Sequence, residues 1–417
     1  MDFENSIKKF DCKCGKHHSC AIKHIIIKEN ALHEIAGLVS NYHHILITAD
    51  KNTYEICGKE IENQCLNRTE QVYVFKDDKM LVPDENAIER LSSQLNEKTD
   101  LIIGIGSGVI QDICKYVSFK KDLPYFIVAT APSMDGYASN SAALIINNMK
   151  ITYTTHLPDA IIADINILKN APISMIKSGY GDIIGKFSCL NDWKLSAFIN
   201  NEYFCDYVYS IISDMVNKIK DIGNSLLNRE PYAVKTLTES LIGTGIAMAY
   251  VNNSRPASGS EHHLSHFFEV VGILNNDPYF LHGTDVAYST VISQKIREKL
   301  ISMSCLPNKK HFNEKIWEQE IKKIYTDAAD GIIELQKNLG WHWDDKYEIY
   351  KIKWKEIQNI LKEVPSSEEL IRYINSVNLS MEDFYNLYGK EKINNAVKYA
   401  MDLKNRYTVL WIYNELI

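Results

Sequence analysis

Leu101-Ile102-Ile103-Gly104-Ile105-Gly106-Ser107-Gly108-Val109-Ile110-Gln111-Asp112 is the stretch that decides the fold. An apolar run enters a glycine cluster, and a helical pattern follows from about Val109 to Phe119. A buried strand that feeds a helix through glycines opens a parallel strand–helix–strand unit. Working outward, Ile25-Ile26-Ile27, Ile45 to Thr48 ending at Asp50, Val72 to Phe75, Tyr125 to Val128 and Ala160 to Asp164 read as further short apolar strands. Helical patterns over Ala31 to Val39 and Ala87 to Leu95 lie between them. The alternation predicts a doubly wound parallel sheet. Ala142 to Ile146 and Ile151 to Thr154, split by Asn147-Asn148, predict a hairpin.

After Ala171-Pro172 helical periodicity takes over, as in Tyr203 to Leu227, Tyr232 to Val251, Tyr288 to Leu300 and Glu314 to Leu339. The expected organisation is therefore an α/β domain over residues 1–170 and an all-α domain over 171–417. No Gly/Ser linker marks the change, so the two are expected to pack tightly and share a cleft.

The chain has 417 residues, 45% of them apolar and 24% charged, with a net charge of −7. That composition suits a soluble two-domain protein. No Lys/Arg stripe offers a footprint for nucleic acid. No apolar run is long enough to span a bilayer, and the start from Met1 to Phe10 has no secretory pattern. Nine cysteines, an odd number, then imply reduced thiols and a cytoplasmic location.

Glycines at a strand-to-helix turn let a backbone approach a pyrophosphate closely, and the helix start presents N–H groups to it. They also occur for packing alone. Asp50 can accept from an adenosine ribose or cap a turn. Thr130-Ala131-Pro132-Ser133-Met134-Asp135-Gly136-Tyr137-Ala138-Ser139 crowds hydroxyls and a carboxylate onto a loop at a strand's carboxyl end, where open α/β sheets bind ligands. Gly179-Tyr180-Gly181-Asp182-Ile183-Ile184-Gly185-Lys186 sets an acid between glycines at an expected helix start. Downstream come Ser258-Gly259-Ser260-Glu261-His262-His263-Leu264-Ser265-His266 and Leu281-His282-Gly283. His262 and His266 share a helical face, and one Asp with two or three His suits a divalent ion. Lys186, basic and one turn from Asp182, is a candidate for a substrate phosphate. Cys12-Lys13-Cys14-Gly15-Lys16-His17-His18-Ser19-Cys20 has donors at ligand-like spacing but no second pair nearby, and reads as either incidental thiols or a metal-capturing end.

The strings GSGVIQD, TAPSMDGYAS, GYGDIIGK, SGSEHHLSHFFE and LHGTDVA resemble those of the sn-glycerol-1-phosphate dehydrogenases, most closely their bacterial branch. That family lies within the superfamily of iron-containing alcohol dehydrogenases, glycerol dehydrogenases and dehydroquinate synthases. The resemblance covers roughly residues 20 to 290. It implies a Rossmann-like cofactor domain followed by a helical, dehydroquinate synthase-like domain. It also implies reduction of dihydroxyacetone phosphate by NAD(H) or NADP(H), for phospholipid synthesis, with one Ni2+ or Zn2+ per subunit of a homodimer. On the matching positions, Asp182, His262 and His282 are implied as metal ligands. Gly108 through Val109, Ile110, Gln111 and Asp112 are implied to hold the pyrophosphate, and Gly106 and Ser107 to bind the cofactor. Thr130, Ser133 and Ser139 are implied on the nicotinamide and ribose side, Ala131 and Pro132 to bind the cofactor, and Asp50 at the adenosine ribose. Asp135, Asp182 and His266 are implied at the substrate, with Asp182 and His266 catalytic.

Lys186 stands where the iron alcohol dehydrogenases carry a further His, and Asp182 where dehydroquinate synthases carry Glu. Both departures favour the polyol dehydrogenases. The remaining alternatives are a glycerol dehydrogenase acting on unphosphorylated glycerol and a dehydroquinate synthase-like lyase.

Overall fold

The computed structural model describes residues 9–77, 81–146 and 149–417. Two compact units emerge: residues 1–180 with 224–253, and residues 181–223 with 254–417. The sequence expectation of one boundary near residue 170 is thus replaced by a chain that leaves the first unit, returns to it, and leaves again. The returning segment is the helix Pro231–Val251, 15 of whose residues are buried. Its Gly245 lies against Ala138, so closely that a Cβ there would stand 2.7 Å from the Ala138 Cβ. Periodicity marks such a segment as helical but carries no address.

The first unit begins with an antiparallel hairpin of β1 (Phe10–Asp11) and β2 (His17–His18), which the sequence reading did not foresee. Then come β3 (His24–Lys28), β4 (Ile45–Asp50), β5 (Thr69–Phe75), β6 (Leu101–Gly106) and β7 (Tyr125–Ala129). β8 (Ser141–Ile146) and β9 (Met149–Thr154) form a separate antiparallel pair, and β10 (Ala160–Asp164) completes the main sheet. Asn147 and Asn148, expected as the turn of that pair, lie outside the described residues, as do residues 1–8.

The main sheet is parallel, in the order β3-β10-β7-β6-β4-β5. Its strands are apolar on both faces because both faces are covered. Ile45, Ile47, Ile103 and Ile105 join one core with Ile35 and Val39. Leu46 and Ile102 join the other with Ile113 and Val117. Each such fully buried side chain contributes about 1.5–3 kcal/mol. Strand order reverses between β4 and β6, which puts the ends of these two strands at the switch point where such sheets bind ligands.

The second unit is helical among its described residues. It includes the helices Lys186–Asn200, Asp206–Ile219, Ser260–Asn275, His282–Ile301, Glu314–Tyr325, Ala329–Leu339, Tyr347–Leu361, Ser367–Asn375, Met381–Tyr399 and Val409–Leu416. The single expected helix from Glu314 to Leu339 is broken by a 3-10 turn at Thr326–Ala328, where Thr326 has a φ of 42°. Among the described residues no helix is long and apolar enough to cross a membrane.

Candidate functional site

In the first unit, β6 ends at Gly106, Ser107 is the turn, and the helix Gly108–Lys121 starts at once. The glycines have separate reasons. A Cβ at Gly104 would stand 2.7 Å from the Cys114 Sγ, and one at Gly106 would stand 2.6 Å from the Ile110 Cβ. Both therefore serve strand-to-helix packing. A Cβ at Gly108 meets only Met134, at an ordinary 3.6 Å. Packing does not demand glycine there, and a bare backbone at a helix start is what a pyrophosphate needs.

Asp50 ends β4, the strand next to β6. Its Oδ1 accepts from the Asn52 and Thr53 N–H groups at 2.8 and 2.9 Å, closing a capping box. Thr53 in turn donates to the Ile105 carbonyl at 2.8 Å, tying the two strand ends together.

The later part of the glycine motif turns to other tasks. Ile110 packs on Gly106. The Gln111 side chain is buried and donates to the Tyr137 carbonyl at 3.2 Å. Asp112 accepts from the Ala143 N–H at 3.2 Å. After β7, Thr130 donates its N–H to the Gly106 carbonyl at 3.1 Å, so this loop runs beside the glycine turn. Ala131 accepts from the Tyr137 hydroxyl at 2.8 Å, and Ser133 accepts through its carbonyl from Ser178 at 3.1 Å. Ser139 is buried and accepts from Lys115 at 3.2 Å. Burial lowers the Lys115 pKa, while Asp112 and Asp135 oppose that shift. Asp135 itself is half-buried at the start of the 3-10 turn Gly136–Ala138.

In the second unit the structure brings together Asp182, His262 and His282, each with a donor atom within 4.8 Å of the others. The Asp182 Oδ1 and His262 Nε2 lie 3.7 Å apart. Two ligands about 2.1 Å from one ion at a tetrahedral angle stand roughly 3.4 Å apart. One carboxylate and two imidazoles form a donor set for a borderline divalent ion, and the spacing fits it.

Asp182 does not open a helix, as the sequence suggested. It lies in the last turn of the helix Ile173–Ile184. The flanking glycines reflect close helix approach instead. A Cβ at Gly181 would meet the Gly283 carbonyl oxygen at 2.2 Å, and one at Gly185 would meet the Val286 Cγ1 at 2.5 Å. Those contacts set Asp182 beside the start of the helix that carries His282. His262 sits in the first turn of Ser260–Asn275.

Lys186 also departs from its expected place. Its side chain is buried, and its Nζ lies 2.9 Å from the Asp182 Oδ1 and 3.0 Å from the Ala257 carbonyl. Its ammonium balances the buried carboxylate and is not presented to solvent as a phosphate site.

His266 is half-buried one turn beyond His262, with ring centroids 5.9 Å from His262 and 5.4 Å from His282. Glu269, His266 and His282 form a second group with donor atoms within 4.8 Å. Burial, together with the charges of Lys186 and the neighbouring histidines, holds the His262 pKa well below its usual 6.5. The ring is therefore neutral, the form a metal requires.

Sequence reasoning missed the support beneath this cluster. The Glu261 Oε1 lies 2.8 Å from the His262 Nδ1 and accepts from the Gly259 N–H at 2.7 Å. That contact places the proton on Nδ1 and leaves Nε2 to face Asp182. Burial, and Asp192 nearby, push the Glu261 carboxyl up to about 7. The Asp192 Oδ2 accepts from the Ser260 N–H at 2.7 Å, and the Arg297 guanidinium lies 2.9 Å from Oδ1. Glu261 carried no sequence signal beyond standing next to a histidine, and Asp192 none at all.

The iron-containing alcohol dehydrogenase family profile matches residues 26–172. A glycerol-1-phosphate dehydrogenase (NAD(P)+) of Bacillus velezensis is 31% identical over 340 residues, covering 79% of this chain and 84% of its own length. One from Geobacillus thermodenitrificans is 28% identical over 415 residues, covering 97% and 95%. Among solved structures, sulfoacetaldehyde reductase of Bifidobacterium kashiwanohense in complex with NAD+ superimposes with a TM-score of 0.62 at 11% identity, over 96% of this chain and 94% of that one. That likeness extends the fold agreement across both units. With a close glycine turn, a gathered Asp/His/His set and sequence identity sustained along the chain, the protein belongs to the glycerol-1-phosphate dehydrogenase family.

Proposed function

We propose that the chain reduces dihydroxyacetone phosphate to sn-glycerol 1-phosphate, reversibly, with hydride from NADH or NADPH and one divalent metal, Ni2+ or Zn2+, held by Asp182, His262 and His282. The observation that carries this is the convergence of those three donors within 4.8 Å in a chain of this family. A divalent ion held there would supply Lewis acidity to a ketone oxygen. The hydride chemistry is the cofactor's.

The chain's own residues bind, orient and move the proton. The N–H groups at Ser107, Gly108 and Val109 receive the pyrophosphate. Asp50, with one oxygen committed to its capping box, offers the other to the adenosine ribose. Thr130 through Ser133 line the nicotinamide side. Glu261 fixes the His262 tautomer. Lys186 fixes Asp182. His266, half-buried beside His282, gives a proton to the C2 oxygen during reduction, and Asp135 contacts the substrate. A homodimer in the cytoplasm, supplying phospholipid synthesis, completes the reading.

The experiment is NADH and NADPH oxidation with dihydroxyacetone phosphate and dihydroxyacetone as alternative substrates, after metal analysis of the purified protein. Turnover should require the phosphorylated ketone, and Asp182→Asn or His262→Ala should remove both metal and activity, with the fold of His262→Ala intact. Turnover of dihydroxyacetone in preference to its phosphate would shift the assignment to a glycerol dehydrogenase. A metal-free Asp182→Asn variant with full activity would end it.

A further inference from the structure

We propose that the N-terminal hairpin is a second, structural metal site, in which Cys12, Cys14 and His18 hold a zinc ion. The three donors come from one tight hairpin in the first unit. Phe10 pairs with His18 and Asp11 with His17. The Cys12 N–H donates to the Lys16 carbonyl at 3.0 Å, and the Gly15 N–H to the Cys12 carbonyl at 3.0 Å. Gly15 has a φ of 83°, the left-handed position that lets a hairpin turn close with a bulge. This geometry sets both thiols on the turn and His18 on the returning strand.

Three features make it a built site. The donor atoms of Cys12, Cys14 and His18 all lie within 4.8 Å of one another. The Cys14 Sγ stands 3.4 Å from the His18 Nε2. Sulfur and nitrogen ligands on one tetrahedral zinc, at about 2.3 and 2.0 Å, stand roughly 3.5 Å apart. Finally, His18 is held as metal-binding histidines are held. Its ring is fully buried, and its Nδ1 donates to the Tyr250 carbonyl at 2.8 Å. That bond puts the proton on Nδ1 and turns the lone pair of Nε2 towards the thiols. The ring stacks on Tyr250 at 5.4 Å and meets the edge of Phe10 at 5.4 Å.

Two thiolates and a neutral imidazole neutralise a dication, and that soft donor set selects zinc. The site is separate in chemistry from the Asp/His/His cluster, which has no sulfur. Its role is to fasten the hairpin to Tyr250, a residue 232 positions away at the end of the helix Pro231–Val251. Water or another of the chain's cysteines completes the coordination.

The test is metal analysis of the full-length protein, wild type against Cys12→Ser/Cys14→Ser and His262→Ala. Wild type should carry about two metal equivalents per chain, with the cysteine variant losing zinc alone and His262→Ala losing only the other metal. Cobalt substitution should give wild type a near-ultraviolet thiolate-to-metal charge-transfer band that the cysteine variant lacks. Single Cys→Ser changes at the remaining cysteines identify any further ligand. If the double variant does not fold, a mercurial titration of wild type replaces it, with zinc released in step with two thiols. Wild type with a single equivalent, lost in His262→Ala and indifferent to the cysteines, overturns the site, as does a Cys12–Cys14 disulfide in the native protein. Neither result touches the proposed reaction, which rests on other residues.

Discussion

Glu261→Gln isolates what the carboxylate beneath His262 does. The Glu261 Oε1 accepts from the Gly259 N–H at 2.7 Å and meets the His262 Nδ1 at 2.8 Å. Glutamine keeps the length and an oxygen at that position, so both hydrogen bonds and the helix start survive. Only the charge is lost. A charge-assisted hydrogen bond is roughly twice as strong as a neutral one, and loss of such a partner to a liganding imidazole typically weakens metal binding about 10–100-fold. In free energy that is about 1.4–2.7 kcal/mol. The assay is competition for metal against a chelator of known affinity, at about pH 8, above the value of about 7 to which burial pushes Glu261. The melting temperature of the metal-free protein serves as the control for folding. Metal affinity within about twofold of wild type would refute the claim that Glu261 sets the basicity of His262.

Gly108→Ala should melt near wild type, since its Cβ meets only Met134 at 3.6 Å, yet raise the KM for NADH about tenfold. An unchanged KM would leave the helix start without a phosphate. Arg297→Met strands the buried Asp192 carboxylate, 2.9 Å from the guanidinium in the native chain, and should cost about 3–5 kcal/mol in denaturant unfolding. A loss below about 1 kcal/mol would contradict the burial of that pair. His156 stacks on Tyr125 and meets the Ser118 hydroxyl at 2.8 Å, and burial holds its imidazole below the usual 6.5, against the opposing charge of Asp159. The unfolded chain therefore binds the proton more readily, and stability falls as pH drops below about 6.5. His156→Phe should flatten that part of the pH–melting curve, and an unaltered slope would remove His156 from it.

The sheet was legible because buried parallel strands announce themselves as short apolar runs, and Ala160 to Asp164 matches the observed β10 residue for residue. The short β1–β2 hairpin has too few residues to show any period. At the site, the residue types of Asp182, His262 and His282 were readable, but the glycines around Asp182 misled. They looked like a helix start and instead make room for the Gly283 carbonyl, a neighbour about a hundred positions away that no local pattern reveals. Lys186 was misjudged for the same reason, since helical spacing predicts proximity to Asp182 but not that both are sealed from water. Glu261 carried no signal beyond being an acid next to a histidine.

The return of Pro231–Val251 to the first unit constrains how the protein can be made and cut. During synthesis the first unit is incomplete until residue 253 has been made, and residues 181–223 are made before their partners from 254 onward. A fragment ending near residue 180 lacks that helix and exposes Ala138 and its neighbours, so any excised α/β unit has to carry residues 224–253 as well.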